Sequence, residues 1–240
     1  MGVFEELRER APCHLTLLDP VDVEPRRVAS TLEPLLEAGT DAILVGGSTA
    51  HARQVEAVVD AVREVTDLPV ILFPNGPEGL APNADAVLFM SLLNSRSTYY
   101  LIEAQVKGAP LVEEFGLESI PTGYLVLGEW GTSVSVVGDA RVLPFDRPEL
   151  IVAHALAAKH LGMRAVYLEA GSGAPEPVPP EIVRRVAEIG LFTIVGGGIR
   201  NPDVARELVR AGADAIVTGT AVERDPERAA ELARAVSEAR

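Results

Sequence analysis

Short runs of β-branched and other apolar residues alternate with longer stretches of helical period along nearly the whole chain. No other feature of the sequence constrains the fold as tightly. A strand that must be followed by a helix before the next strand can only build a parallel sheet covered by helices. The runs are residues 13–19, 41–45, 69–73, 85–91, 120–127, 165–169, 192–195 and 215–218. Between them, Val28, Leu32, Leu35 and Leu36 share one helical face, as do Val55, Val58, Val59 and Val62, and Ile182, Val183, Val186 and Ile189. Pro25, Asn201-Pro202 and Asp225-Pro226 mark helix starts; Gly39, Gly162, Gly190 and Gly212 mark ends. Asp146 and Glu149 form a pair of capping-box type before the helix that ends at Gly162. Pro34 sits inside its helix and is expected to kink it. A further helix is expected from a cap at Ser95 or Ser97 to Lys107, and residues 128–144 form an irregular excursion.

Eight strands and seven helical connections follow. The eighth connection, residues 74–83, holds Pro74, Pro77, Pro82, Gly76 and Gly79, so a loop is expected in place of a helix. The chain also echoes itself. Ala38-Gly39-Thr40-Asp41-Ala42-Ile43-Leu44-Val45-Gly46-Gly47 matches Ala211-Gly212-Ala213-Asp214-Ala215-Ile216-Val217-Thr218-Gly219-Thr220. Repeated βα units over 240 residues predict a (β/α)8 TIM barrel, modified by loss of its third helix. An open doubly wound sheet is the alternative. No linker-like stretch divides residues 1–240, so one domain is expected.

Composition excludes several functions. With 21 Lys and Arg against 35 Asp and Glu, the net charge is −14, the wrong sign for a general nucleic-acid binder. The single cysteine, Cys13, rules out a disulfide framework within the chain, and its apolar neighbours predict a buried thiol. No stretch of 18 uncharged apolar residues suits a membrane span, and residues 1–10 are charged, so a cytoplasmic protein with at most membrane-surface contact is expected. The four histidines are scattered without zinc-site spacing, and His14 suits a core position.

In such barrels, chemistry gathers where strands end. There the sequence places Gly46-Gly47-Ser48-Thr49, Glu169-Ala170-Gly171-Ser172-Gly173, Gly196-Gly197-Gly198-Ile199-Arg200 and Gly219-Thr220. Glycines let backbone N–H groups approach an anion, so a phosphorylated ligand is expected. Asp19 ends the first strand, where a carboxylate either caps a turn or holds Mg²⁺, with Ser48 or Thr49 adding a hydroxyl. Glu169 ends the sixth strand after Tyr167; it either pairs with an arginine or binds a ligand hydroxyl as general base. Trp130, in the loop after the fifth strand, is a candidate for lining an apolar groove, with ordinary packing as the alternative.

Taken together, His14-Leu15-Thr16-Leu17-Leu18-Asp19-Pro20, Val45-Gly46-Gly47-Ser48 and Tyr167-Leu168-Glu169-Ala170-Gly171-Ser172-Gly173 resemble the geranylgeranylglyceryl phosphate synthase family. Val195-Gly196-Gly197-Gly198-Ile199-Arg200 and Thr218-Gly219-Thr220 extend the likeness, which spans residues 13–222. The resemblance implies a barrel without its third helix and a Mg²⁺-dependent prenyltransferase. Its substrates would be sn-glycerol 1-phosphate and geranylgeranyl diphosphate, its product the first ether bond of archaeal membrane lipids. The donor tail would need an apolar groove, for which Leu92, Leu93, Tyr99, Tyr124 and Trp130 are candidates. It implies Mg²⁺ at Asp19 and Ser48. It implies glycerol phosphate at Tyr167, Leu168, Glu169, Ala170, Gly171, Ser172, Gly173, Gly197, Gly198, Gly219 and Thr220. Leu17 stands where one branch of the family has lysine, which leaves the phosphate mainly to backbone amides. The resemblance also implies a homo-oligomer. A longer, heptaprenyl donor and a phosphosugar isomerase on a similar barrel remain the alternative functions.

Overall fold

Eight parallel strands close on themselves in chain order, each pairing with the next and β8 returning to β1. The computed structural model describes residues 2–240. The strands are β1 (Cys13–Leu18), β2 (Ala42–Val45), β3 (Val70–Leu72), β4 (Ala86–Leu92), β5 (Glu118–Val126), β6 (Ala165–Glu169), β7 (Phe192–Gly196) and β8 (Ala215–Thr218). The helices are α1 (Val3–Arg10), α2 (Val28–Glu37), α3 (Ala52–Arg63), α4 (Ala104–Phe115) and α5 (Ser133–Val137). They continue with α6 (Pro148–His160), α7 (Pro180–Ala187), α8 (Pro202–Arg210), α9 (Thr220–Arg224) and α10 (Pro226–Ser237). The closed barrel replaces the open sheet that the alternation alone would also allow.

Side chains alternate across each strand. Cys13, Leu15 and Leu17 face the barrel interior with Leu44, Ile71, Leu88, Tyr124, Tyr167 and Ile194. Leu18, Ile43 and Val45 face outward onto α2 and α3, and Val166, Leu168 and Val195 onto α6 to α8. The expected stripes are the buried faces: Val55, Val58, Val59 and Val62 on α3, and Ile182, Val183 and Val186 on α7.

The internal echo is a repeated piece of hydrogen bonding. Gly39 and Gly212 both hold positive φ, +86° and +104°, and end α2 and α8 alike. Thr40 N–H reaches back to Leu35 and Ala213 N–H to Leu208. The aspartate two residues on then ties down the preceding strand. Asp41 accepts from His14 N–H at 2.9 Å and Asp214 from Thr193 N–H at 2.7 Å. Asp85, before β4, does the same for Val70 N–H at 2.7 Å.

Between β3 and β4 only a 3-10 turn, Pro77–Gly79, replaces the missing helix, as expected. Pro34 lies within α2 without ending it; the Ser30 carbonyl it leaves unpaired is on the exposed face. Asn201 and Asp225 cap α8 and α10 by accepting from Asp203 and Arg228 N–H.

Other expectations fail for identifiable reasons. Asp146 and Glu149 form no capping box, because Pro148 starts α6 after Arg147 and leaves Asp146 outside capping reach. Neither Ser95 nor Ser97 caps the fourth connection. Ser95 Oγ is instead engaged with the Gly138 carbonyl at 2.6 Å, and a π-helical turn, Tyr99–Glu103, leads into α4, which runs on to Phe115. The excursion at 128–144 contains the short α5, and α9 intervenes before α10. Helix α1 lacks a sequence signal beyond Phe4 and Leu7. It forms because the Glu118 carboxylate accepts the N–H groups of Val3 and Phe4, and because Phe4 packs edge-on against Phe192 at 5.4 Å. It belongs to the end of the barrel opposite the glycine loops, as the pairing of Phe4 with the first residue of β7 requires.

Candidate active site

The C-terminal ends of the strands surround a cavity of about 430 Å³. Asp19, Ser48, Tyr167, Glu169, Ser172, Gly173, Gly197, Gly198, Gly219 and Thr220 all line it. Leu168 and Ala170 do not; their side chains are buried in the outer core, so only their backbone belongs to the segment. Gly171 contributes through its N–H, which donates to Glu169 Oε1 at 2.5 Å.

Glu169 is buried, and no arginine pairs with it among the described residues. Tyr124 donates to its Oε2 at 3.1 Å, and the Tyr167 hydroxyl also supports the carboxylate. Burial raises the carboxyl above its ordinary range; the Gly171 N–H and the two tyrosines partly offset this. Phe73, Tyr124 and Tyr167 form an aromatic cluster beside it, with ring centroids 5.0 to 5.9 Å apart.

The loops after β6 and β7 interlock closely. A Cβ on Gly197 would lie 2.5 Å from Glu169 Oε1 and 2.6 Å from Gly171 N; one on Gly198 would lie 2.7 Å from the Glu176 carbonyl. Both hold positive φ, so only glycine suits either place. Across the mouth, Ser172 Oγ and Thr220 Oγ1 are 2.8 Å apart.

Asp19 stands on the other side of the mouth. Its Oδ1 accepts from Val21 N–H at 3.0 Å, and its Oδ2 lies where a Cβ on Gly47 would be, within 1.9 Å. Asn75 holds the Ser48 carbonyl at 3.0 Å and fixes the turn after β2. Sequence reasoning missed Asp22 and Glu223, which face the same corner. Burial raises the Asp19 carboxyl, and Asp22 adds to this. Burial, followed by the Asp22 and Asp19 charges, pushes Glu223 up to about 7, while the Asp19 N–H partly counters them. A corner in which burial raises both the Asp19 and the Glu223 carboxyl is suited to a cation. One carboxylate with substrate phosphate oxygens is a donor set that Mg²⁺ accepts. Among the described residues no three His, Cys, Asp or Glu side chains form a metal cluster by themselves.

The remaining half of the cavity is apolar. Where the third helix is absent, Phe73, Pro74 and Leu80 face Phe89, Ala104 and Gly108, making a groove that opens over the barrel rim. Leu92 and Tyr124 line the cavity as expected. Leu93, Tyr99 and Trp130 do not. Leu93 packs in the outer core, Tyr99 packs on Tyr100 and meets Glu78 at 3.4 Å, and Trp130 is 71% exposed. The missing helix was legible in sequence, but not which side chains would face the gap, because they come from separate elements.

Glycine loops around a buried carboxylate, an acidic corner and an adjoining apolar groove define a class: a (β/α)8 barrel for a phosphorylated polar substrate together with an apolar one. The PcrB family model matches residues 4–239. The geranylgeranylglyceryl phosphate synthase of Methanopyrus kandleri is 81% identical over 238 residues, covering 99% of this chain and 100% of that protein. The synthase of Thermofilum pendens is 50% identical over 223 residues, covering 92% and 87%. The crystal structure of (S)-3-O-geranylgeranylglyceryl phosphate synthase from Thermoplasma acidophilum in complex with substrate sn-glycerol-1-phosphate superposes with a TM-score of 0.93. The two share 41% identity, over 99% of each chain. The chain therefore belongs to the PcrB family and groups within it with the geranylgeranylglyceryl phosphate synthases.

Proposed function

We propose that this chain is a Mg²⁺-dependent prenyltransferase that joins sn-glycerol 1-phosphate to geranylgeranyl diphosphate. The products are 3-O-geranylgeranylglyceryl phosphate and diphosphate. One observation carries the reading: a single cavity joins the Glu169 carboxylate, the glycine loops, the Asp19 corner and an apolar groove. The names of the relatives and the acceptor bound in the Thermoplasma acidophilum protein support it. The groove favours it over a phosphosugar isomerase, which has no apolar substrate part to house.

The acceptor phosphate rests on N–H groups of the Gly197-Gly198 and Gly219-Thr220 turns, in keeping with Leu17 standing where a lysine would add charge. The glycerol hydroxyls meet Glu169 and Tyr167. The donor chain lies in the groove with its diphosphate toward Asp19 and Ser48, which would hold Mg²⁺. When bound, the metal neutralises charge on the leaving diphosphate. The C3 hydroxyl oxygen bonds to the allylic carbon as that carbon's bond to diphosphate breaks, and Glu169 takes the hydroxyl proton. A carboxylate raised by burial is a better base at neutral pH than an ordinary one. The faces of Phe73, Tyr124 and Tyr167 favour positive charge developing on the allylic carbon. Holding both substrates in one mouth supplies the entropic part of the acceleration.

Product identification tests the reading. Incubating the chain with both substrates and Mg²⁺ should give, by mass spectrometry, the prenyl glyceryl phosphate and one diphosphate per product. Absence of that product from folded protein, with geranylgeranyl and longer donors alike, overturns it.

A further inference from the structure

We infer that Arg200 is a positioning residue for the acceptor phosphate, acting as a clamp that holds the loop after β6 against the turn after β7. The inference rests on the phosphate reading of those loops. Arg200 follows the Gly196-Gly197-Gly198-Ile199 turn directly. Its guanidinium donates to three consecutive carbonyls of the other loop: Gly173 at 3.2 Å, Ala174 at 2.6 Å and Pro175 at 3.1 Å. Its own carbonyl accepts from Arg228 of α10 at 3.4 Å, which ties the clamp to the barrel's last helix.

Three features make this more than a surface contact. The clamped carbonyls continue directly from Gly171 and Ser172, so their positions set where the loop presents its polar groups. The Gly171 N–H is already committed to Glu169, which pins the start of the loop and leaves residues 173–175 for the guanidinium to hold. Gly198 has no side chain, and the 173–177 segment occupies that space, with Glu176 backbone where a Cβ would be. Backbone fit and guanidinium fork thus fix the same pair of loops from two sides. A planar fork serves three diverging carbonyls better than an ammonium, whose hydrogens lie on one atom. The accuracy of these loops sets how well their N–H groups meet the phosphate.

The test uses the full chain with Arg200→Gln and Arg200→Lys. Arg200→Gln should raise the KM for glycerol 1-phosphate about tenfold while kcat stays within about twofold, the signature of lost binding that does not change in the transition state. Amide exchange of residues 171–176 should quicken, with the barrel strands unaffected. Arg200→Lys, which keeps the charge and loses the fork, should lie between wild type and Arg200→Gln in both readouts. An unchanged KM and unchanged exchange in Arg200→Gln overturns the clamp. So does Arg200→Lys matching wild type, which would assign the effect to charge alone. If wild type itself neither binds glycerol 1-phosphate by calorimetry nor forms product, the functional reading fails. Faster loop exchange in Arg200→Gln would then still establish the clamp.

Discussion

The hydroxyl of Tyr124 donates to Oε2 of Glu169 across 3.1 Å of buried space, joining β5 to the end of β6 at the bottom of the mouth. The bond favours the ionised carboxylate, while burial opposes it. Glu169→Gln removes the base and should lower kcat by about 10²- to 10⁴-fold with the fold intact by circular dichroism. An unchanged rate would remove Glu169 from the proton transfer.

The same bond gives a pH prediction. Glu169 must be ionised to act, so kcat/KM should fall as pH drops through a pKa raised above the usual carboxylate range. Tyr124→Phe deletes a donor to the charged form, so the acid limb should shift to higher pH. A shift toward lower pH, or none, would contradict this arrangement.

Asp19 should be separable from folding. Asp19→Asn keeps the acceptor for Val21 N–H but loses the charge, and should abolish most activity at any Mg²⁺ concentration. Gly47→Ala should act through Asp19, because its Cβ would meet Oδ2 within 1.9 Å. The Mg²⁺ concentration for half-maximal rate should rise in Gly47→Ala. Near-normal turnover across a Mg²⁺ titration of either variant would refute the metal assignment.

His14 carries a stability prediction. It is fully buried between Thr40 Oγ1 at 3.0 Å and Thr218 Oγ1 at 2.9 Å, and burial lowers its pKa to about 3. The unfolded chain binds a proton on it near pH 6.5, so between about 6.5 and 3 the unfolded state holds more protons. This residue's contribution should therefore fall on acidification by up to about 1.4 kcal/mol per pH unit in that window. Urea unfolding of wild type and His14→Asn at several pH values measures it. The variant should be less stable at pH 7.5 and lose less on acidification; parallel pH dependences would refute it.

Cys13 should be inert in the folded protein. Burial, reinforced by Asp41, pushes its thiol up to about 12. A thiol reagent at pH 8 should label it only after denaturation, and rapid labelling of native protein would contradict the placement.

How much of this was legible in the sequence depends on whether the signal was local. The strands, the helix stripes and the Gly39 and Gly212 ends were legible because periodicity and glycine encode them within a few residues. So was the placing of Asp19, Ser48, Tyr167, Glu169, Ser172 and Gly173 at the mouth, because strand ends announce themselves. Helix α1 was not, since its start depends on Glu118, over a hundred residues away. Nor was the lining of the groove, because Phe73 and Leu80 of the connection after β3, Phe89 of β4 and Gly108 of α4 meet there from three separate elements. Trp130 misled because an aromatic in a loop says nothing about which way it faces. Glu223 was missed because its meeting with Asp19 joins loops at opposite ends of the chain; Asp22 follows Asp19 in the same turn, but no local pattern sets it apart from the other surface carboxylates. Arg200 looked like the end of a glycine motif, and its three carbonyl partners lie 25 to 27 residues earlier.

The most direct measurement follows labelled glycerol 1-phosphate into organic solvent with geranylgeranyl diphosphate and Mg²⁺, beside tubes holding a chelator, the sn-3 enantiomer or a heptaprenyl donor. Chelator-sensitive transfer that prefers the sn-1 acceptor and the geranylgeranyl donor is the predicted result. No transfer from folded protein with any donor would contradict the central claim that this cavity joins the two substrates.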